Sequence, residues 1–302
     1  MKLVANETSQ NQAAKALSLS IIDSLHPRPA QLPLTIPEDL VQTLIPLHGN
    51  PPAWWIGQIV SYILRPQPLL KERLDKQREK LDFRDPVVGV HVRRTDKLGG
   101  EAQYHSLAEY MSWAIEFFER WELKHGAGSL DKRRVYLATD DPLLIDEAMK
   151  SYPDYTFLCD KQIAASAQLS SRYSDTSLHG IITDIHFLSL SHYLVCTFSS
   201  QVCRIAYELM QTMHPDASDW YHSLDDIYYF GGQHAHEQIA RYSHVPRSSL
   251  EIELKPNDVV GIAGNHWDGW SKGRNQRTGK TGLYPSYKVE EKWRVAPFPR
   301  QD

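Results

Sequence analysis

Val87-Val88-Gly89-Val90-His91-Val92-Arg93-Arg94-Thr95-Asp96-Lys97 decides the reading of this chain. Its first half is a short valine-rich run, bounded by Pro86 and by the charged half that follows. A run that is apolar throughout, and too short for a helix, reads as a strand buried on both faces. Its far end carries two arginines, an aspartate and a lysine. In a parallel sheet that end is where ligands bind. Arginine holds phosphate oxygens bidentately and stays charged, so a strand ending in Arg93-Arg94 points to a phosphate-bearing ligand.

The flanking sequence agrees with a parallel sheet. Ser106-Leu107-Ala108-Glu109 is a capping box opening a helix with apolar Leu107, Tyr110, Met111, Ala114, Phe117, Phe118 and Trp121. Val135 to Ala138 is a second strand, ending in Thr139-Asp140-Asp141-Pro142, and a helix follows to about Tyr152. Tyr155 to Leu158 is a third strand, Ser177 to Leu190 a helix, Tyr193 to Phe198 a fourth strand and Gln201 to Met213 a helix. Alternating strands and helices give an α/β fold with a Rossmann-like parallel sheet. From Gln238 the pattern becomes short strand-like runs separated by Gly, Asn and Lys, including Leu250 to Leu254: a small all-β barrel. Before the sheet, His26 to Pro37 is Pro-rich and extended, Trp54 to Leu64 is an apolar helix and Leu69 to Leu81 a solvated one. The tail after Lys292 is expected to fray.

Composition sets limits. The chain has 302 residues, 41% hydrophobic and 23% charged, as in ordinary globular proteins. A net charge of -4 gives no basic field, so nucleic acid is not an expected partner. The 14 histidines are scattered, with no zinc spacing among them and the three cysteines. Cys196 and Cys203 are near enough to close a small loop, but spacing alone leaves buried free thiols equally open. No apolar run approaches ~20 residues, and the N-terminus lacks the pattern of a signal peptide, so neither an anchor nor a signal peptide is expected in this chain. The sequon Asn6-Glu7-Thr8 therefore carries no weight.

Candidate chemistry gathers after the strands. Arg93 and Arg94 suit a pyrophosphate leaving group, whose charge must be neutralised as its bond to a sugar breaks. No Asp-x-Asp motif occurs anywhere, so a metal-free, arginine-based site is the expectation. Gly99-Gly100 lets the loop approach a ligand, and Glu101 suits a general base, although a loop glutamate is more often simply solvated. Asp140-Asp141-Pro142 suits a cap for a helix that begins at Pro142. Asp184 falls mid-helix among apolar neighbours and needs a partner, for which a guanine edge or an arginine are the two candidates.

His91 to Lys97, Tyr136 to Pro142, Asp184 to Leu188, Cys196 to Arg204 and His222 to Phe230 together resemble the eukaryotic alpha-1,6-fucosyltransferases that core-fucosylate N-glycans, over about Asp23 to Lys292. The resemblance implies a GT-B-like glycosyltransferase lobe that carries out an inverting, metal-independent transfer from GDP-fucose to the innermost N-acetylglucosamine, with no cofactor. It implies His91, Arg93, Asp184, Ser200 and Gln201 at the donor, with Arg93 on the diphosphate. It makes Glu101 the base with Lys97 beside it, and leaves Arg94, Asp96, Asp140, Asp141 and Asp226 to orient glycan or support the site. It pairs Cys196 with Cys203. The last domain resembles an SH3 fold: Ala240-Arg241-Tyr242 stands at the opening motif and Gly282 to Tyr287 at the closing one. His266 replaces a wall tryptophan, which argues against proline-rich peptides and, by the resemblance, assigns His266 to the glycan and the barrel to a homodimer contact. Residues 1–84 are then a remnant of a first catalytic lobe, 85–232 the GDP-fucose-binding domain, 238–292 the SH3-like domain and 293–302 a tail. Full-length members are anchored in the Golgi membrane; the chain is expected to start partway through the catalytic domain and to be weakly active or inactive alone. The rival readings are a non-catalytic carbohydrate-binding or scaffold relative, and an SH3 adaptor.

Overall fold

The computed structural model describes residues 30–31, 34–95, 102–168, 171–230, 236–266 and 268–298, with side chains left out at 262–266. Chain order begins β1 (Thr35–Pro37), α1 (Glu38–Leu47), α2 (Pro51–Ile63), α3 (Pro68–Lys80), β2 (Val87–Val92), α4 (Leu107–His125) and β3 (Arg133–Thr139). It continues α5 (Pro142–Ser151), β4 (Tyr155–Leu158), α6 (Lys161–Ser166), α7 (Asp175–Ser189), β5 (Tyr193–Cys196), α8 (Gln201–Met213) and β6 (Tyr221–Ser223). The last strands are β7 (Glu237–Ala240), β8 (Val259–His266), β9 (Trp270–Asn275), β10 (Thr281–Pro285), β11 (Val289–Glu291) and β12 (Arg294–Ala296).

The first five-stranded sheet runs β4-β3-β2-β5-β6, parallel throughout. All six residues of β2 are buried. Side chains alternate across a strand, so Val88, Val90 and Val92 meet Leu107, Tyr110, Met111, Ala114 and Phe118 of α4 on one face. On the other face Val87 joins Phe187 and Leu188 of α7 and Ala206, Tyr207 and Met210 of α8. The order is that of a Rossmann half: β2 starts at the centre, the chain winds outward to β4, and β5 returns to the opposite side of β2. The connections reverse between β2 and β5, leaving a crevice beyond the ends of those two strands. Ser106 and Glu109 form the expected capping box, with the Glu109 carboxylate accepting from the Ser106 amide at 2.6 Å and hydroxyl at 2.8 Å.

Helices before the sheet dock on it. Gly57 of α2 lies so close to α8 that a Cβ there would meet the Glu208 carbonyl at 2.2 Å, and only glycine permits this approach. The tail does not fray as expected. Its strand β12 pairs in parallel with β1, Thr35 opposite Arg294, and Phe298 packs edge-on against Trp55 at 5.7 Å. Three extended residues find unpaired backbone groups at β1, which outweighs the composition of the segment.

The second sheet is antiparallel in the order β10-β9-β8-β7-β11, around Ala240, Ile252, Leu254, Val260, Tyr284 and Val289, with Ile227 of the α/β lobe packed against it. Leu250 to Leu254, expected as a strand, makes only the isolated bridges Glu251 to Leu283 and Leu254 to His244. The Glu251 carboxylate instead binds a turn, accepting from the Arg247 amide at 3.0 Å and the Ser248 hydroxyl at 3.1 Å.

Candidate active site

Two strand ends build the crevice. At the end of β2, His91 is buried and Arg93 half-buried. Asp140, at the end of neighbouring β3, accepts from the Arg94 amide at 2.8 Å, the Thr95 amide at 3.3 Å and the Thr95 hydroxyl at 2.6 Å. Its carboxylate therefore fixes the path of the arginine segment. Asp141 does what its position before Pro142 requires and caps α5, accepting from the Leu143 amide at 3.0 Å.

Arg94 is held from several sides. Its guanidinium reaches Glu147 at 3.3 Å and Asp141 at 3.8 Å, and lies 5.0 Å from the centre of the Tyr104 ring. Those contacts turn it toward its own lobe, onto the start of α5 and the Tyr104 ring. Asp96, Lys97 and Glu101 lie outside the described residues.

At the end of β5, Cys196 and Cys203 are joined by a disulfide with their Cα atoms 6.2 Å apart. The bridge ties the strand to the first turn of α8 and closes the loop carrying Ser199, Ser200 and Gln201. Ser200 is the N-cap of α8. Its hydroxyl is buried and has no hydrogen-bond partner among the described residues. Gln201, the first helical residue, is exposed. A helix N-terminus with free amides and a waiting hydroxyl favours an anion. Arg93 and Ser200 thus stand at the ends of the two strands that flank the topological switch.

Among the described residues no arginine pairs with Asp184. The Tyr136 hydroxyl donates to it at 2.8 Å from the adjoining strand β3. The helix faces the sheet here, so a tyrosine across the packing interface reaches the carboxyl first. Burial raises the Asp184 carboxyl to about 7, against the lowering effect of that hydrogen bond.

Asp226 was expected at the site, whereas Tyr110, His222 and Asp225 were not singled out. Asp225 is buried and organises the other side of the crevice: it accepts from the Ser223 hydroxyl at 3.1 Å, the Asp226 amide at 2.6 Å and the Ser199 amide at 3.4 Å. Tyr110 is held well above the ordinary tyrosine range by burial, then by the nearby Asp225 charge, with Thr197 and Arg94 acting the other way. Its position on the apolar stripe of α4 made it look like core. His222 stacks on Trp113 with ring centres 3.4 Å apart, and burial lowers it to about 4. Asp226 is raised to about 7, by burial and then by Asp225. A cavity of about 430 Å³ lined by His222, Asp225, Asp226, Gly269 and Tyr287 lies between the segment from β6 and the second sheet. His266 is backbone only in the described structure, on β8. Among the described residues, no three His, Cys, Asp or Glu side chains come together to hold a metal ion, and no helix is long and apolar enough to cross a membrane.

A Rossmann-type lobe with an anion-favouring crevice, joined to a small antiparallel β domain, defines the class. The family model for the alpha-(1,6)-fucosyltransferase N- and catalytic domains matches residues 2–229, and that for a variant SH3 domain matches residues 240–290. The chain belongs to the alpha-(1,6)-fucosyltransferase family. It is 52% identical over 285 residues to the Drosophila melanogaster alpha-(1,6)-fucosyltransferase, covering 94% of this chain and 46% of the relative. To that of Caenorhabditis elegans it is 47% identical over 295 residues, covering 97% of this chain and 52% of the relative. The chain thus spans about half the length of the curated relatives it matches. Among solved structures, the SH3 domain of yeast NBP2 matches 18% of this chain and 95% of its own at 32% identity, with a TM-score of 0.18.

Proposed function

We propose that this chain carries the donor-binding half of an enzyme that transfers fucose from GDP-fucose, in alpha-1,6 linkage, to the innermost N-acetylglucosamine of N-linked glycans. The observation that carries this is the switch-point crevice of a family member, with Arg93 on one side and the Ser200 N-cap of α8 on the other. Arg93 and the start of α8 would neutralise the diphosphate as it leaves. His91, Asp184 and Gln201 complete the donor site. Glu101, with Lys97 beside it, takes the proton from the acceptor 6-hydroxyl as that oxygen attacks from the opposite face of the sugar, inverting the anomeric centre. Asp96, Asp140, Asp141, Asp226 and His266 orient the glycan or brace the loop, and Arg94 braces it from within. With arginine and helix dipole supplying the positive charge, the transfer proceeds without metal.

The test combines GDP affinity with fucose transfer to a biantennary glycopeptide bearing terminal N-acetylglucosamine. The chain binds GDP, and Arg93→Lys, which keeps the charge but loses the fork, weakens GDP binding at least tenfold. In the same protein extended to the length of its relatives, Glu101→Gln leaves GDP affinity unchanged and lowers kcat by ~10²–10⁴-fold. EDTA changes neither. Failure of the wild-type chain to bind GDP, or turnover that EDTA abolishes and Mn²⁺ restores, would overturn the corresponding part of this reading.

A further inference from the structure

Tyr136 lies mid-way along β3 and is 2% exposed. Its ring packs against Phe83, with centres 6.2 Å apart, and against Phe187 of α7 at 5.2 Å. A ring packed on two sides keeps one rotamer, which fixes where its hydroxyl stands. Phenylalanine would serve this packing as well, and a buried hydroxyl costs stability unless it is hydrogen-bonded. Among the described residues, the bond it makes is the one to Oδ1 of Asp184 at 2.8 Å.

Asp184 has acceptor capacity to spare. An ionised carboxyl offers about four acceptor positions on two oxygens. Among the described residues only Tyr136 donates to it, and the residue keeps part of its surface open. The other ionisable groups around it are acidic. The Asp160 carboxylate at the N-cap of α6 acts to raise it further, and the Cys159 thiol after β4 is itself raised by burial and then by Asp160. The nearby cation is Lys80 of α3, and it lies 3.6 Å from Asp160. A carboxyl so placed suits a neutral ligand edge with two adjacent N–H donors. Guanine presents such an edge in N1–H and the N2 amino group.

We infer that Tyr136 is a positioning residue for the donor base: its hydroxyl holds the Asp184 carboxylate in the plane from which both oxygens accept from guanine. Selection for the N2 amino group then passes through a tyrosine that does not itself touch the nucleotide. The inference rests on the donor-site reading above, in which Asp184 meets GDP-fucose. The tyrosine bond also favours the ionised carboxyl, against burial, and so keeps the acceptor available at lower pH.

The experiment is calorimetric titration of the full chain with GDP and with inosine diphosphate, which lacks only the N2 amino group, between pH 6 and pH 8.5. A site built to hydrogen-bond a group rejects the analogue without it, and the wild-type chain binds GDP about tenfold or more tighter than inosine diphosphate at pH 8. Tyr136→Phe keeps the ring between Phe83 and Phe187 and brings that ratio close to parity. Wild-type GDP affinity is full above about pH 7 and falls below it, as Asp184 takes up its proton. In Tyr136→Phe the fall begins at higher pH, a shift that a merely loosened core does not produce. In an Asp184→Asn background, adding Tyr136→Phe changes neither affinity. That pair also decides the matter if far-UV CD shows Tyr136→Phe alone to be unfolded, since it leaves no carboxyl without its partner. A Tyr136→Phe protein with the wild-type ratio and pH profile would overturn the positioning role and leave the donor reading intact. So would equal wild-type affinity for the two nucleotides, or a further loss of GDP affinity when Tyr136→Phe is added to Asp184→Asn. Absence of GDP binding by the wild-type chain overturns the donor reading and this inference with it.

Discussion

Arg94 stands beside Arg93 in the sequence, yet its guanidinium turns back to Glu147 and Asp141. Sequence could place both arginines at a strand end, because the valine run and its charged border are local signals. It could not divide the work between them, because that depends on residues about 50 positions away across the sheet. Asp184 makes the same point. Its burial followed from its apolar neighbours in α7, but its partner Tyr136 comes from another strand. A carboxyl raised to about 7 in the fold and near 4 in the unfolded chain binds protons more tightly when folded. The linked stability is fully present below about pH 4 and is lost as the pH rises through 7. Glu208 and Asp226, also raised to about 7 by burial, act in the same direction. The melting temperature should therefore fall between pH 6 and pH 8. Asp184→Asn should flatten part of that slope, raising the melting temperature at pH 8 more than at pH 5.5, while GDP affinity drops because the proposed donor contact is lost. An unchanged slope would show that Asp184 titrates normally.

At the scale of elements, legibility followed length and pattern. β4 and α8 have the bounds their sequences suggested, since Tyr155–Leu158 is a clean apolar run and α8 has a strong apolar stripe between Ser200 and His214. The short elements α6 and β6 were missed. Six residues capped by Asp160 and three reading Tyr-His-Ser show no period to detect. The loop from β5 into α8 was legible as a ligand edge, but spacing alone left its closure open. With the bridge in place, Cys203→Ser should release a short loop and cost about 2–3 kcal/mol. That is a fall of roughly 5–10 °C in melting temperature for a domain of this size. Because Ser199 and Ser200 lie inside the loop, GDP affinity should fall as well. A variant that melts lower and binds GDP normally would show that the bridge serves stability alone.

Across the whole molecule, the SH3-like domain is anchored to the lobe. Ile227 packs against its core, and Arg204 of α8 lies 3.9 Å from the ring centre of Tyr229 in the connecting segment. The clasp between β1 and β12 adds a second tie that composition gave no hint of. Deleting residues 294–302 should uncover Ile36, which is 1% exposed, and free Trp55 from Phe298. Burial of one such aliphatic side chain is worth about 1.5–3 kcal/mol. Limited proteolysis should then cut first within residues 30–47, with the sheet around β2 surviving; unchanged protection there would show that β1 is held without its partner.

The clasp also orders events in time. The Gln31 amide donates to the Pro297 carbonyl across 266 positions of chain. A ribosome adds ~5–20 residues per second, so β1 waits on the order of ten to fifty seconds for its partner to be made. Throughout that interval Ile36 and the open backbone of β1 are presented to chaperones and to other nascent chains, while the Rossmann sheet can already close behind them. β12 is therefore the strand that withdraws β1 from the surroundings, and the newborn chain stays open to capture or rescue there until β12 arrives.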